Sequence, residues 1–443
     1  MCENDSRGLG QGQGPCPPIG RRRPVARPSL RGPFDRREAG GRASQEDELG
    51  SFSPPLPLDR SARRRLTAGL VALAAGNATG AAALLPGAPD DAGWLSLARL
   101  AEGHGVAALV GLPPAAAPER VRSDLADAAA RTLARGKRLA EDLRVVAGAL
   151  QAAGVPAMPL KGAWLAPLVY GIPARRPAAD IDLLVPPRHT AEAVEVLVGL
   201  GYVEAQRTWK HRSFLRPDNA AVVDPRGEHP DNPRPVELHA VRGESFRGIA
   251  LTLPVRPGEL GPDRDPDLAL GTLHVAAHAT VDALERRLRL VALVDLARLA
   301  PKLDEAAWGR LEAIAATPHA ARFAWPALAL AARDLGARVP AATLERLARD
   351  VAPALREWVE AADIDGLSRF GRPDVGRRLG EVPAIWPLSA AERRAVWRFI
   401  LWPGRWQLAD RHPRLAASPF WPAAYALHAG YTLRTLAARW RRR

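Results

Sequence analysis

A change in the hydrophobic pattern near residue 155 most constrains the fold of this chain. From residue 61 to about residue 154, apolar residues recur at helical spacing, as at Trp94, Leu97 and Leu100. Residues 155–260 instead contain short apolar or alternating runs broken by Gly and Pro, a pattern that favours strands with brief helices. Helical spacing returns at Asp267. This order predicts an α+β fold, in which a small mixed sheet with helices is embedded between N- and C-terminal helical regions.

Both ends of the chain differ from this body in composition. Residues 1–60 are rich in Gly, Pro, Arg and Ser and show no apolar period, so we expect a disordered extension. Residues 386–443 contain six of the twelve tryptophans, interleaved with arginine, and we expect a basic amphipathic tail. The predicted domains are the extension 1–60, a helical region 61–154, an α/β core 155–260, a helical domain 261–385 and the tail 386–443.

The net charge of +14 is concentrated at the two ends. Residues 1–64 carry +4 and residues 386–443 carry +9, which leaves +1 for the body. A nearly neutral body argues against a nucleic-acid track. For the tail, three alternatives stay open: contact with an anionic membrane surface, binding of single-stranded nucleic acid, and packing against the body.

Cysteine usage and hydropathy bear on the compartment. Both cysteines lie within the first 16 residues, so we expect no disulfide framework, cysteine zinc site or cysteine nucleophile in the body. Residues 1–20 lack the apolar segment of a signal peptide. The uncharged stretch from Leu66 to Pro89 is rich in alanine, and we expect core helices there rather than a membrane span. These features favour a cytoplasmic protein, with peripheral membrane contact through the tail as an alternative.

The segment Asp180-Ile181-Asp182-Leu183-Leu184-Val185 is the one most typical of a chemical site. On a strand, Asp180 and Asp182 project from one face while Ile181 faces the core. Two carboxylates so close together repel each other, and burying them unpaired costs free energy. Because Mg²⁺ prefers carboxylate and phosphate oxygens, a divalent cation is their natural partner.

A third acid follows in Val236-Glu237-Leu238-His239, where Glu237 and His239 share one face of a candidate strand. Three carboxylates on adjacent strands could hold two metal ions about 3.5 to 4 Å apart, the arrangement used for in-line phosphoryl transfer. The tripeptide alone is weak evidence, since it recurs at Asp363-Ile364-Asp365 without an apolar strand. We expect that second copy to be a surface loop.

Several short motifs, taken together and in order, are similar to those of bacterial uncharacterised nucleotidyltransferases of the DNA polymerase β-like superfamily. The resemblance covers roughly residues 90–300. The motifs that carry it are Trp94 to Val106, Leu160-Lys161-Gly162, Arg176-Pro177, Asp180 to Val185, Val236 to His239, Leu273-His274, His278, Arg287-Leu288 and Asp295-Leu296-Ala297.

The resemblance implies a minimal nucleotidyltransferase core. In such enzymes the two strand aspartates bind Mg²⁺ and the NTP phosphates, and the third acid binds the second metal and favours deprotonation of an acceptor hydroxyl. Carried over residue by residue, these catalytic and metal-binding roles fall on Asp180, Asp182 and Glu237. Gly162 would lie where the backbone approaches the phosphates at a helix N-terminus.

The chain departs from the family pattern at this turn. The superfamily has Gly-Ser or Gly-Gly there, whereas this chain has Gly162-Ala163 and so lacks a hydroxyl group that contacts phosphate. Lys161 could supply that contact instead, or could be a solvated turn residue. Arg176 could likewise contact the triphosphate or be a surface charge.

His274 and His278 are four residues apart on a predicted helix and therefore share a face. They resemble a zinc pair, but the adjacent glutamate of zinc proteases is absent. We expect instead a polar stripe that faces the cleft and contacts nucleotide or acceptor. With Lys161, Gly162, Arg176 and His239, they complete the predicted nucleotide-binding set.

The sequence therefore predicts a Mg²⁺-dependent nucleotidyltransferase with two metal ions, Mn²⁺ being an alternative, and an NTP as substrate. The acceptor is unknown and could be a small molecule, a saccharide or a protein, while nucleic acid is not expected. A catalytically inactive relative that binds nucleotide or a partner is the alternative, because of Gly162-Ala163. A membrane-surface accessory protein is a further alternative, because of the tail.

Overall fold

The structure, a computed structural model, describes the chain from residue 59 to residue 440 with several gaps. Most of the predicted extension, residues 1–58, lies outside the described residues. Also outside them are 85–90, 111–117, 209, 225–227, 256–258, 261–266, 369, 371–381, 405–407, 409–414, 416–417, 419–420 and 441–443.

Helices with defined bounds surround a small group of strands. The helices are α1 (Arg60–Ala74), α2 (Ala78–Leu84), α3 (Asp91–Gly103), α4 (Glu119–Ala152), α5 (Lys161–Val169), α6 (Thr190–Gly199), α7 (Leu268–Leu284), α8 (Leu290–Leu299), α9 (Glu305–Ala315), α10 (Pro318–Leu335), α11 (Ala341–Arg349), α12 (Pro353–Glu360), α13 (Ile364–Leu367), α14 (Ala390–Leu401) and α15 (Ala423–Trp440). The strands are β1 (Met158–Pro159), β2 (Ile181–Leu184), β3 (Val203–Arg207), β4 (His211–Leu215), β5 (Val236–His239), β6 (Arg242–Phe246) and β7 (Ile249–Leu253).

A five-stranded mixed sheet lies in the middle of the chain, in the order β1-β2-β5-β4-β3. Strands β2 and β5 are parallel, and the other neighbouring pairs are antiparallel. The parallel register places Asp182 opposite Glu237. Strands β6 and β7 form a separate hairpin whose turn, Arg247-Gly248, has positive φ at both residues. The α+β prediction, with a small mixed sheet between helical regions, is confirmed.

Two hydrophobic cores support these elements. One face of the sheet packs under α4 and α6, and its core includes Leu139, Val146, Leu150, Ile181, Leu183, Ala193, Leu197, Phe214, Val236 and Leu238. A larger helical core extends from Leu66 in α1 to Ile400 in α14 and includes the apolar face of the β6–β7 hairpin. Because one face of the sheet is covered by apolar residues, the polar residues of β2, β4 and β5 lie together on its other face.

The short apolar run at residues 220–223 predicts a strand from sequence, and this prediction is wrong. This segment is irregular, Val222 and Val223 are exposed, and the backbone N–H groups of Val223 and Asp224 donate to the Asn232 side chain. Strands β3 and β4 were instead missed. Residues of β3 are mostly exposed and polar, as suits an edge strand, and β4 begins with polar residues.

The second Asp-Ile-Asp copy is not the expected surface loop. Asp363 caps the four-residue helix α13 by accepting from the Gly366 N–H, and Asp365 is buried against Arg63 of α1. Asp365 therefore joins two distant parts of the chain, although the tripeptide gives no sign of this.

Part of the tail packs against the body. Trp386 is fully buried between Phe246 and Phe323, with edge-on ring centroids 5.3 and 4.8 Å away. Val396 and Ile400 of α14 are also buried, whereas Trp402 is exposed. No helix among the described residues is long and apolar enough to cross a membrane. Membrane contact through the tail and the five domain borders stay predictions.

Candidate functional site

Three carboxylates meet on the polar face of the sheet. Asp182 of β2 and Glu237 of β5 are neighbours across the parallel pair, and Asp180 lies two residues before Asp182 and so shares its face. One ligand oxygen from each carboxylate lies within 4.8 Å of the other two. The structure thus brings together the three residues for which the sequence predicts metal binding.

Asp182 is only 3% exposed, and its charge is balanced by two neighbours. Its Oδ1 lies 3.1 Å from Lys161 Nζ and 2.6 Å from His239 Nε2. Burial opposes ionisation, but Lys161 and His239 outweigh it and hold the pKa of Asp182 well below its usual range. Burial also opposes ionisation of Glu237, whose pKa is nevertheless lowered, chiefly by its hydrogen bond with His239. Both acids are therefore carboxylates near neutral pH.

Lys161 is the first residue of α5 and has a φ of 43°. A non-glycine residue rarely adopts this left-handed conformation, which costs about 1–3 kcal/mol. The conformation accompanies a side chain that reaches Asp182. Burial alone would lower the pKa of Lys161, but Asp182, Glu244 and Glu237 raise it. Lys161 is thus a fixed cation within a group of acids.

Gly162 and Arg176 are neighbours, because a Cβ on Gly162 would collide with Arg176 Nη1. Arg176 binds Asp295 with two nitrogens, at 3.0 Å from Nε to Oδ1 and 2.6 Å from Nη2 to Oδ2, and donates from Nη1 to the Pro177 carbonyl. Tyr170 donates to the same carboxylate. The apolar neighbours of Asp295 in the sequence predict a buried carboxylate that is hydrogen-bonded to a neighbour such as an arginine, and the structure confirms this. Phosphate contact by Arg176 stays a prediction.

His274 and His278 of α7 lie against Glu244 of β6, which the sequence did not single out. Glu244 is buried and accepts from Lys210 Nζ at 3.0 Å, and His278 Nδ1 lies 3.1 Å from its Oε1. His274 Nε2 is 3.8 Å from the same oxygen. Burial lowers the pKa of His274 to about 4, although Glu244 opposes the shift. The apolar run from residue 249 to 253 after Arg247-Gly248 could have signalled the hairpin that carries Glu244.

His211 of β4 is a second residue that sequence reasoning missed. It pairs with His239 in the antiparallel register, and its Nδ1 lies 3.2 Å from Glu237 Oε2. Burial lowers the pKa of His211 to about 4, so its imidazole is neutral near pH 7. No signal pointed to it, because β4 itself was not recognised.

Arg135 of α4 fixes the loops that enter β2 and β5, the strands that carry Asp182 and Glu237. Its guanidinium donates to the carbonyls of Ala178 and Ala179 just before β2, at 3.0 and 2.8 Å. It also donates to three carbonyls in the segment before β5, those of His229, Asn232 and Pro233. Arg135 lies on the buried face of α4 between Thr132 and Leu139, and an arginine at an apolar position was the available signal.

Residues 90–336 match the model of a family described as uncharacterised nucleotidyltransferases. No curated protein and no solved structure matches the chain. The matched region includes α3 to α10, all the strands among the described residues, the three carboxylates, and Glu244 with its two histidines. It also covers more than half of the 443 residues. This chain therefore belongs to the family of uncharacterised nucleotidyltransferases.

Proposed function

We propose that this protein is a Mg²⁺-dependent nucleotidyltransferase with a core of the DNA polymerase β type. It transfers a nucleoside monophosphate from an NTP to a hydroxyl or phosphate group of an acceptor and releases pyrophosphate. The observation that carries the proposal is the meeting of Asp180, Asp182 and Glu237 within 4.8 Å on one face of the sheet. Membership of a nucleotidyltransferase family supports the reaction class.

The donor set fits the metal. Carboxylate oxygens are the ligands that Mg²⁺ prefers, with water and phosphate oxygens completing its shell, and Mn²⁺ accepts the same donors. Asp180, Asp182 and Glu237 would hold two ions. When bound, Mg²⁺ supplies the positive charge that offsets the triphosphate and the departing pyrophosphate.

The residues of the chain position the reactants and accept a proton. An acceptor oxygen attacks the α-phosphorus while the bond to the bridging oxygen of pyrophosphate breaks. A carboxylate oxygen of Glu237 takes the proton of an acceptor hydroxyl. Lys161 and the backbone of Gly162, at the start of α5, contact the phosphates. Arg176, His239, His274 and His278 complete the proposed nucleotide-binding set.

The proposal is tested by transfer of an α-labelled NTP in the presence of Mg²⁺ and a host lysate. We expect Asp180→Asn and Asp182→Asn to reduce transfer roughly a hundredfold or more, because several kcal/mol of charge stabilisation is lost. The matched control is Asp363→Asn in the second Asp-Ile-Asp copy, where asparagine also caps a helix well. Separating the labelled products shows whether the acceptor is a small molecule, a saccharide or a protein.

Equal labelling by the wild type and by both site variants would show that the carboxylates do not support transfer. Equal losses in Asp363→Asn would show that the assay reports folding rather than the site. The reaction also requires that a γ-labelled NTP release one labelled pyrophosphate for each nucleoside monophosphate transferred.

A further inference from the structure

His211, Glu237 and His239 form a second group beside the three carboxylates. His211 of β4 lies opposite His239 of β5 in the antiparallel register. Glu237 precedes His239 by two residues and therefore projects from the same face. Two of these side chains come from β5 and one comes from β4. They converge because both strands present their polar faces on this side of the sheet.

The spacing of the three ligand atoms suits a single metal ion. His211 Nδ1 lies 3.2 Å from Glu237 Oε2, and His239 Nε2 lies 3.5 Å from the same oxygen. One ligand atom from each of the three residues lies within 4.8 Å of the other two. An ion with ligand bonds of about 2.1 Å places neighbouring ligands roughly 3.0 to 3.4 Å apart in octahedral or tetrahedral geometry. The two distances to Glu237 Oε2 match that range to within a tenth of an ångström.

The Nδ1 atom of His211 has no hydrogen-bond partner within the part of the chain that the structure describes. This atom is buried, and its short approach to Glu237 does not have hydrogen-bond geometry. Leaving a buried polar atom unsatisfied costs about 1–3 kcal/mol. A metal ion between His211 and Glu237 would remove that cost.

We propose that His211, Glu237 and His239 bind one transition-metal ion of the Mn²⁺, Co²⁺ or Zn²⁺ class. Two imidazole nitrogens with one carboxylate suit these ions, whereas Mg²⁺ prefers a shell of oxygens. Glu237 belongs to both groups, which differ in chemistry: the first offers only carboxylates to its ions, and the second offers two imidazoles beside Glu237. The inference rests on the proposed function for the role of the ion in transfer.

The existing hydrogen bond of His239 to Asp182 also fits a residue that only orients the carboxylate. His211 distinguishes metal binding from orientation of Asp182, because it contacts Glu237 but makes no hydrogen bond to Asp182 among the described residues. The decisive variants are therefore His211→Ala and His211→Asn in the full chain, with unfolding curves to show that both fold.

The first measurement is titration of the metal-free chain with Co²⁺, followed by its visible absorption, and with Zn²⁺ and Mg²⁺, followed by calorimetry. We expect the His211 variants to bind Co²⁺ and Zn²⁺ roughly tenfold more weakly or worse, and Mg²⁺ almost as the wild type does. The control is His189→Ala, since His189 Nδ1 lies 2.6 Å from Glu192 in a comparable histidine–glutamate pair. Wild-type Co²⁺ binding in both His211 variants, or equal loss in His189→Ala, overturns the proposal.

The second measurement needs no variant. In wild-type chain with ¹⁵N-labelled histidine, Zn²⁺ should shift the ring nitrogens of two of the ten histidines. No such shift overturns the proposal even where a variant fails to fold. Failure of the proposed function gives a different result: the wild type shows His211-dependent Co²⁺ binding but transfers no label. Transfer with Mg²⁺ and without histidine-dependent Co²⁺ binding refutes the metal site alone.

Discussion

Lys161 gives the carboxylate group a cation of its own. Its side chain is 13% exposed, and its amine lies 3.1 Å from the nearly buried Asp182. The left-handed backbone of Lys161 means that this contact is accompanied by a local conformational cost. The site therefore keeps its acids charged and partly compensated before any metal or nucleotide binds.

Replacing Lys161 with methionine should make the stability of the chain depend on divalent cations. Without the amine, Asp182 loses one of the two neighbours that balance its charge, and we expect a loss of about 3–5 kcal/mol in metal-free buffer. Added Mg²⁺ should restore more of the melting temperature in Lys161→Met than in the wild type. Lys302→Met at an exposed position is the control. The same Mg²⁺ response in all three proteins would refute a role for Lys161 as counter-charge.

His274 should make stability fall in mild acid. Its folded pKa is about 4, against about 6.5 in an unfolded chain, because burial disfavours the charged ring. Glu244 opposes this shift, while Lys161 and His239 add to it. Between these pH values the unfolded chain binds a proton that the folded chain does not. The contribution of the neutral, buried His274 to the free energy of unfolding is therefore complete above pH 6.5 and is lost as the pH falls towards 4.

For one proton, the free energy of unfolding should fall by about 1.4 kcal/mol for each pH unit below the unfolded pKa. Urea unfolding of the wild type and of His274→Gln between pH 7 and pH 4.5 isolates it, because the other titrating groups are common to both proteins. We expect the wild type to lose stability faster than the variant over this range. Parallel profiles would show that His274 does not titrate in this way.

At the scale of elements, α4 aligns β2 and β5 through Arg135. Five carbonyls from the segments before β2 and β5 accept from this one guanidinium. Lysine has a single ammonium and cannot reproduce the planar fork. We expect Arg135→Lys to lower the free energy of unfolding by roughly 3 kcal/mol, since hydrogen bonds from a charged donor contribute about 1.5–3 kcal/mol each.

Label transfer measured below the melting temperature of Arg135→Lys should also fall, because β2 and β5 lose their common support. Arg138→Lys on the next turn of α4 is the matched control. Arg138 pairs with Asp231 at the surface, where ion pairs contribute about 0–1 kcal/mol. An equal effect of both substitutions would exclude a special role for Arg135.

Sequence patterns revealed the helical regions and strands β2 and β5, and missed strands in which polar or exposed residues interrupt the apolar pattern, such as β3 and β4. Strands β2 and β5 were predicted because an apolar residue follows each acid. Strand β4 was not, since His211 and Arg212 interrupt the apolar pattern at the end that faces the site. Asp182 and Glu237 could be paired by type and spacing. The partners of Arg135 could not, because they lie up to 98 residues away in the chain and are backbone carbonyls.

At the scale of the whole molecule, one buried ion pair links α1 with α13. Arg63 Nε lies 2.7 Å from Asp365 Oδ1 and Nη2 lies 3.1 Å from Oδ2, across 302 residues of sequence. Both side chains are less than a tenth exposed. This ion pair thus holds α1, the first described helix, against α13, which follows the residues matched by the family model. The local sequence gives no indication of this contact.

Removing one member of this ion pair should destabilise the fold, whereas replacing both members with apolar residues should not. Arg63→Met leaves Asp365 buried without its cation, and we expect a loss of about 3–5 kcal/mol in urea unfolding. The double variant Arg63→Met/Asp365→Leu should recover most of that loss, since apolar replacement of a buried pair is often neutral.

Arg64 of α1 and Asp363, the N-cap of α13, form the matched control, 2.8 Å apart and nearly half exposed. Arg64→Met should therefore cost less than about 1 kcal/mol, because surface ion pairs are weak. Equal losses in Arg63→Met and Arg64→Met would show that burial does not set the strength of this link.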